Sequence, residues 1–273
     1  TYLPKYTFYN CTSLDTVLLY TAEDGVIGEP DSGTVTLPPE LTTLAEQVFY
    51  NTAIKEIALP DTVTSVGDGA LAGTIVTGSE DYIEAMDGVV VEVDGNTVIS
   101  VSSEFAGEGG SYVVPEGVTI GAYALAQSTL SSVTVAVDQL DKFSMSGFRG
   151  NVIVTWEEGM STVLLNESFN GWLGTSVVLP DEITEIKTSA FEGAVNLESI
   201  ELPANLERIY GDAFAGCTSL TTVDMPSYSY TGTGNFFADC TALTTTTLGE
   251  NVTYLPNSFA KDLANLKNVS FPD

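Results

Sequence analysis

Residues 179–226 read LPDEITEIKTSAFEGAVNLESIELPANLERIYGDAFAGCTSLTTVDMP, one phrase written twice. Leu179-Pro180, Leu202-Pro203 and Met225-Pro226 recur every 23 residues, and Phe191/Phe214 and Leu197/Leu220 keep the same interval. A fixed period of this length marks an array of stacked coils, a solenoid, in which each repeat is one small supersecondary unit.

Working outward, the template is an apolar residue and Pro, two apolar residues at three-residue steps, a small residue with Phe, then Leu-x-x-Ile-x-Leu into the next Pro. Leu206, Ile209, Ala213, Phe214, Leu220, Val223 and Met225 fill it completely. The next copy keeps Phe237, Leu243 and Leu248 but puts Thr246 where Ile200 and Val223 stand. The last copy runs through Val252, Leu255, Phe259, Leu266, Val269 and Phe271, with Phe259 one place early. Upstream copies begin at Leu37-Pro38, Leu59-Pro60 and Val114-Pro115. The phase degenerates across about 137–178, where two loose repeats carry Phe148 and Phe169 without the Pro.

Leu-x-x-Ile-x-Leu is a short strand with its apolar positions turned inward, and the Pro closes it where no further ladder N–H is needed. The Ala-Phe half is expected to make a tight helical or 3₁₀ turn opposite, with the ring plugging the space between coils. One coil cannot bury its own apolar side; stacked copies about 4.8 Å apart can. The expected fold is therefore a β-rich α/β solenoid in a single domain, residues 1–273. One β-hairpin is inserted at about 80–112, where Tyr82–Ser102 alternates around Asp94-Gly95-Asn96, read as a hairpin turn rather than a ligand loop. A second irregular loop, about Tyr20 to Gly33, is rich in Gly and acidic residues.

Charge bounds the partners. The chain carries 37 Asp plus Glu against 8 Lys plus Arg, formally −29. Such a surface repels nucleic-acid phosphates and anionic lipid head groups. No apolar run approaches the roughly 18 residues that span a bilayer, so membrane insertion is not expected. A solvated acidic face that keeps an apolar-rich chain in solution accounts for the charge; weak divalent-cation binding is the alternative.

Chemistry is scarce. Histidine is absent, which removes Ser-His-Asp and Cys-His arrangements and the ordinary near-neutral base. Cys11, Cys217 and Cys240 each lie three residues after a template Phe, a packing position, and read as buried structural thiols. Adjacent coils would bring Cys217 and Cys240 within disulfide range, which stays open. No catalytic residue, metal site or cofactor is implied. Asn-x-Ser/Thr stands at Asn10, Asn166, Asn251 and Asn268, a pattern compatible with glycosylation and also expected by chance in so Ser- and Thr-rich a chain.

The phrase from Leu202 to Pro226, Leu-Pro followed by Ala-Phe, Cys217 and a Leu-x-x-Val-x-Met exit, resembles the BspA-like, or Treponema-type, leucine-rich repeats. The inserted Met86-Asp87-Gly88-Val89 segment with its Pro115-Glu116-Gly117-Val118 restart resembles an insertion recurring in that family. The resemblance implies a leucine-rich-repeat solenoid, secreted or on the cell surface, non-enzymatic, associated with adhesion to host or neighbouring-cell proteins.

A ligand would meet the outward positions of the strands. These are Glu198, Ser199 and Glu201; Thr221, Thr222 and Asp224; Thr244, Thr245 and Thr247; and Lys267, Asn268 and Ser270. Rows of solvated Thr are also what any β-ladder favours. The expected function is adhesion or protein binding, with an extracellular protein or glycan on this face. The alternative is a structural subunit of an extracellular filament: Thr1-Tyr2-Leu3-Pro4 aligns with Thr253-Tyr254-Leu255-Pro256, so the chain begins within a repeat, and either more protein flanks it or the ends self-associate head to tail.

Overall fold

The computed structural model describes residues 1–17, 20–21, 25–26, 34–93, 96–226, 235–250, 252, 255 and 259–271. Most of the acidic loop at 20–33, the turn residues Asp94 and Gly95, Asn251, and Thr253, Tyr254 and Pro256 of the terminal alignment lie outside them. The chain forms two compact units, 1–107 with 117–129, and 108–116 with 130–273.

In the first unit, Thr34–Thr36, Glu56–Leu59 and Ile75–Gly78 form a parallel sheet, one strand per coil. A second parallel sheet of two-residue strands, Tyr2–Leu3, Thr43–Leu44 and Ser65–Val66, forms another wall. The second unit repeats the plan. Ser111–Val113, Ser132–Ala136, Asn151–Thr155 and Val177–Val178 make one parallel sheet; Ser199–Ile200, Thr222–Met225, Thr245–Leu248 and Asn268–Ser270 make another. Its short-strand wall is Val163–Leu164, Glu185–Ile186 and Arg208–Ile209.

The alternation in each strand decides what is buried. In Thr222–Met225, Val223 and Met225 face the core while Thr222 and Asp224 face solvent. Register sets Thr246 between Val223 and Val269, so the polar substitution noted there falls in an inward column. Its hydroxyl is buried without a partner. The template phenylalanines stack coil over coil: Phe169 on Phe191 at 4.8 Å, Phe191 on Phe214 at 5.2 Å and Phe214 on Phe237 at 5.7 Å between centroids. Phe259, one residue early, meets Phe237 edge-on at 5.8 Å.

The Ala-Phe half is not helical, which corrects the expected helical or 3₁₀ turn. Among the described residues the 3₁₀ helix is Val137–Gln139, at a strand exit. The reason lies in where the backbone donors go. The N–H groups of Ala190, Glu192 and Ala194 bond back within their own turn, to Lys187, Ser189 and Phe191. Those between them, on Phe191 and Gly193, instead donate to Ala213 and Ala215 of the next coil, both at 2.7 Å. Phe169 and Gly171, and Phe214 and Gly216, repeat the alternation. A helix would take every N–H for itself. Alternation needs the backbone to reverse hand, and several coils hold two left-handed residues four apart: Ser189 with Gly193, Asp212 with Gly216. The second of each such pair is Gly or Asn, from Asn10 and Asn51 to Gly193 and Gly216, and Asp239 and Asp262 are left-handed as well. Those are the residue types that tolerate this conformation.

The insertion is larger than one hairpin. Ile83–Met86 pairs antiparallel with Val89–Glu92 through a turn at Asp87-Gly88, Val89–Glu92 pairs antiparallel with Thr97–Val101, and Thr97–Val101 rejoins the repeat by pairing parallel with Thr119–Ile120. The region read as degenerate holds a five-residue parallel ladder, Ser132–Ala136 with Asn151–Thr155. Its packing differs because Trp172 enters the core and donates its indole N–H to the Gly150 carbonyl at 3.0 Å. A Cβ on Gly150 would lie 2.4 Å from the Phe148 ring, so only glycine leaves room there.

Candidate functional site

The strand face of the second unit is the surface the sequence points to, and register places its residues in rows. Ser199, Thr222, Thr245 and Asn268 occupy one row; Asp224, Thr247 and Ser270 occupy another, with strands about 4.8 Å apart. Glu198, Ser199, Glu201, Thr221, Thr222, Asp224, Thr247, Lys267, Asn268 and Ser270 are exposed, and Thr244 and Thr245 are half-buried.

Not all twelve offer themselves equally to a ligand. The Thr221 hydroxyl donates to the Glu198 carbonyl and the Thr244 hydroxyl to the Thr221 carbonyl, each at 3.2 Å. These two tie one coil to the next. Thr222, Thr245 and Thr247 present the flat surface itself.

The electrostatics separate the two walls. On the short-strand wall Glu185 is ringed by cations: Lys187 donates to it, Arg208 donates to it at 2.7 Å and the Tyr210 hydroxyl at 3.2 Å. Lys187, then Arg208, hold the Glu185 carboxyl below the usual carboxylate range. On the strand face, among the described residues, Glu198, Glu201 and Asp224 form no ion pair. That face keeps its negative charge.

The thiols divide. Cys217 and Cys240 are buried and free, and their thiols donate to the carbonyls of Phe191 and Phe214 in the preceding coil at 3.2 and 3.1 Å. The contact with Cys240, together with burial, pushes the Cys217 thiol up. Cys11 corrects the expectation of a third buried thiol: it is exposed. Among the described residues no group of three or more Asp, Glu or Cys side chains could hold a metal ion.

Sequence reasoning missed the apolar part of this face. Val113, Thr134, Ile153 and Val178 fall in one register row across four consecutive strands. Val113 is 67% exposed, Ile153 41% and Val178 56%. The signal was present: Val113-Val114, Val152-Ile153-Val154 and Val177-Val178-Leu179 are unbroken apolar runs, whereas a strand with one solvated face should alternate. Beside the row, the hydroxyls of Ser111 and Ser132 bond to each other at 2.8 Å. The second unit therefore carries an apolar ridge on one of its parallel sheets and a hydroxyl- and carboxylate-bearing field on another.

A sequence profile for the BspA type leucine rich repeat region matches residues 30–78 and 162–273, in six copies, more than half of the chain. The chain belongs to that family. Among solved structures, this BspA-type repeat protein is similar to a leucine rich cell surface protein of Faecalibacterium prausnitzii, at 22% identity over 97% of this chain, with a TM-score of 0.41. A leucine-rich repeat protein of Bacteroides ovatus matches at 21% identity over all of this chain and 81% of its own, with a TM-score of 0.45. The leucine rich repeat protein of T. pallidum matches at 22% identity over 70% of this chain and 79% of its own, with a TM-score of 0.41. The chain spans 62% of the length of the F. prausnitzii protein. No curated protein is similar enough in sequence to count as a match. Among the described residues no helix is long and apolar enough to cross a membrane.

Proposed function

We propose that this BspA-type repeat protein is a non-enzymatic adhesion module that is displayed outside the cell and binds a protein partner through the strand face of its second unit. The observation that carries the reading is the exposed row Val113, Thr134, Ile153 and Val178, in which Ile153 and Val178 stand side by side and Thr134 separates them from Val113. Contiguous exposed apolar side chains rimmed by polar ones mark interaction surfaces. Exposed β-branched aliphatic side chains suit a protein surface better than a sugar. The acidic field of Glu198, Glu201 and Asp224 selects partners with complementary basic groups and steers their approach. An extracellular setting accords with the description of the F. prausnitzii relative as a cell surface protein.

The test is binding of the purified chain to a panel of immobilised extracellular matrix proteins, with Ile153→Asp and Val178→Asp as the diagnostic variants. Losing a buried β-branched anchor weakens binding by about tenfold or more. A wild type that binds no member of the panel, or variants that bind as well as the wild type while melting at the same temperature, would overturn the reading.

A further inference from the structure

A different feature lies in the first unit. The sheet Thr34–Thr36, Glu56–Leu59, Ile75–Gly78 ends at its third strand; among the described residues no further strand pairs with Ile75–Gly78, and a single parallel bridge, Gly73 to Ser102, precedes it. In a parallel ladder alternate residues turn their N–H and C=O to opposite sides. The Ile75 N–H donates to the Lys55 carbonyl at 2.7 Å, so Ile75 and Thr77 serve the inner side and Val76 and Gly78 turn theirs to the open edge. An open, unpaired edge is a template for one more strand.

Beside that strand is a cavity of about 600 Å³. Its apolar surface comes from Ile75, Ala85 of the inserted strands and Phe105, and three carboxylates, Glu80, Asp87 and Glu104, line it as well. All three are exposed. Lys55 meets one of them, 3.8 Å from Glu104. The volume is that of an ordinary ligand cleft. The occupant must be able to satisfy backbone donors and acceptors in line, fill an apolar floor and bring positive charge. A second copy of this chain, at −29, brings the wrong sign.

We propose that this cavity binds an extended peptide segment with alternating basic and apolar residues, which adds a fourth strand to the sheet beside Ile75–Gly78. Main-chain hydrogen bonds to Val76 and Gly78 hold the segment in line, as in other cases of strand addition. Period-two alternation then sends one set of side chains onto Ile75, Ala85 and Phe105 and the other toward Glu80, Asp87 and Glu104. This site is separate from the apolar row of the second unit and does not depend on that row's role.

The experiment is calorimetric titration of the full chain with the blocked peptide Lys-Val-Lys-Val-Lys-Val-Lys and with two versions N-methylated on alternate residues. Saturable one-to-one binding is expected. One N-methylated register abolishes it, because those N–H groups face the sheet, and the other leaves it intact. The triple variant Glu80→Gln, Asp87→Asn, Glu104→Gln weakens binding by about tenfold or more and flattens its salt dependence. Neutralising three other exposed carboxylates, Glu157→Gln, Glu158→Gln, Asp212→Asn, leaves the affinity within about twofold. Absence of saturable binding, equal losses in the two triple variants, or equal binding of both N-methylated registers would each overturn the proposal.

Discussion

The phenolic oxygen of Tyr82 accepts the backbone N–H of Val66 at 3.0 Å and donates its own proton to the Glu92 carboxylate at 2.7 Å. Val66 belongs to the last strand of the short-strand wall in the first unit. A side chain from the insertion therefore takes the place of the ladder partner that another coil would have supplied. Burial, and then the bond to Glu92, push the phenol up to about 12. Tyr82→Phe strands the Val66 donor, and the expected loss is about 1–3 kcal/mol of unfolding free energy. The sign of the pH effect follows from the raised value: the contribution is whole below pH 10 and fades as pH climbs through about 12. Chemical denaturation of both proteins at pH 8 and 11 checks it. A Phe variant as stable as the parent at pH 8 would show that the bridge is idle.

Thr246→Val should stabilise the protein. The site is inward, flanked in register by Val223 and Val269, and its hydroxyl has no partner. Removing a buried, unsatisfied hydroxyl at constant shape is worth about 1 kcal/mol. Denaturant unfolding midpoints read the gain directly, and a lower midpoint would refute the assignment.

Phe214 is stacked on both sides, by Phe191 and Phe237. Phe8 stacks on Phe49 at 5.4 Å and is only half-buried. Phe214→Ala is expected to cost about 3–5 kcal/mol and Phe8→Ala less than about half of that. Thermal melts of the two variants side by side would expose the difference, and equal losses would contradict it.

Thiol chemistry should discriminate the three cysteines. With maleimide at pH 7.5, Cys11 is labelled in the folded protein, while Cys217 and Cys240 are labelled only after unfolding. Because the Cys217 thiol is raised in the fold, its protonated form persists above the ordinary thiol range, and its stabilising effect is lost only as pH rises further. Peptide mass mapping after a timed reaction separates the sites. Early labelling at Cys217 would mean that the coils open locally.

The repeat was legible because Leu197, Leu220 and Leu243 keep the 23-residue period that a stacked coil requires. Strand positions followed from it, and so did the rows Ser199 to Asn268 and Asp224 to Ser270. The turn was misread because Ala213-Phe214 and its neighbours suit a helix locally, and only the neighbouring coil, which takes the Phe191 and Gly193 donors, rules one out. Asn10, Asn51, Gly193, Gly216, Asp239 and Asp262 held the clue, a column of left-handed-tolerant residues that an apolar template ignores. Trp172 helped to hide two coils because it stands, buried, three residues after Phe169, where the later coils carry the small Ala194, Cys217 and Cys240. Exposure of Cys11 and of Ile153 depends on what stacks beside them, which a template position cannot state.

The turn bonds of the template phenylalanines Phe169, Phe191 and Phe214 run one way. Phe169 donates to Ala190, Phe191 to Ala213 and Phe214 to Phe236, always from the earlier coil to the later. Each coil is therefore a plug toward one neighbour and a socket toward the other. A coil duplicated or deleted whole leaves every joint fitting, whereas one set in backwards would press plug against plug. A protein wired like this can lengthen or shorten in single-coil steps, and its reading direction is fixed by the backbone alone.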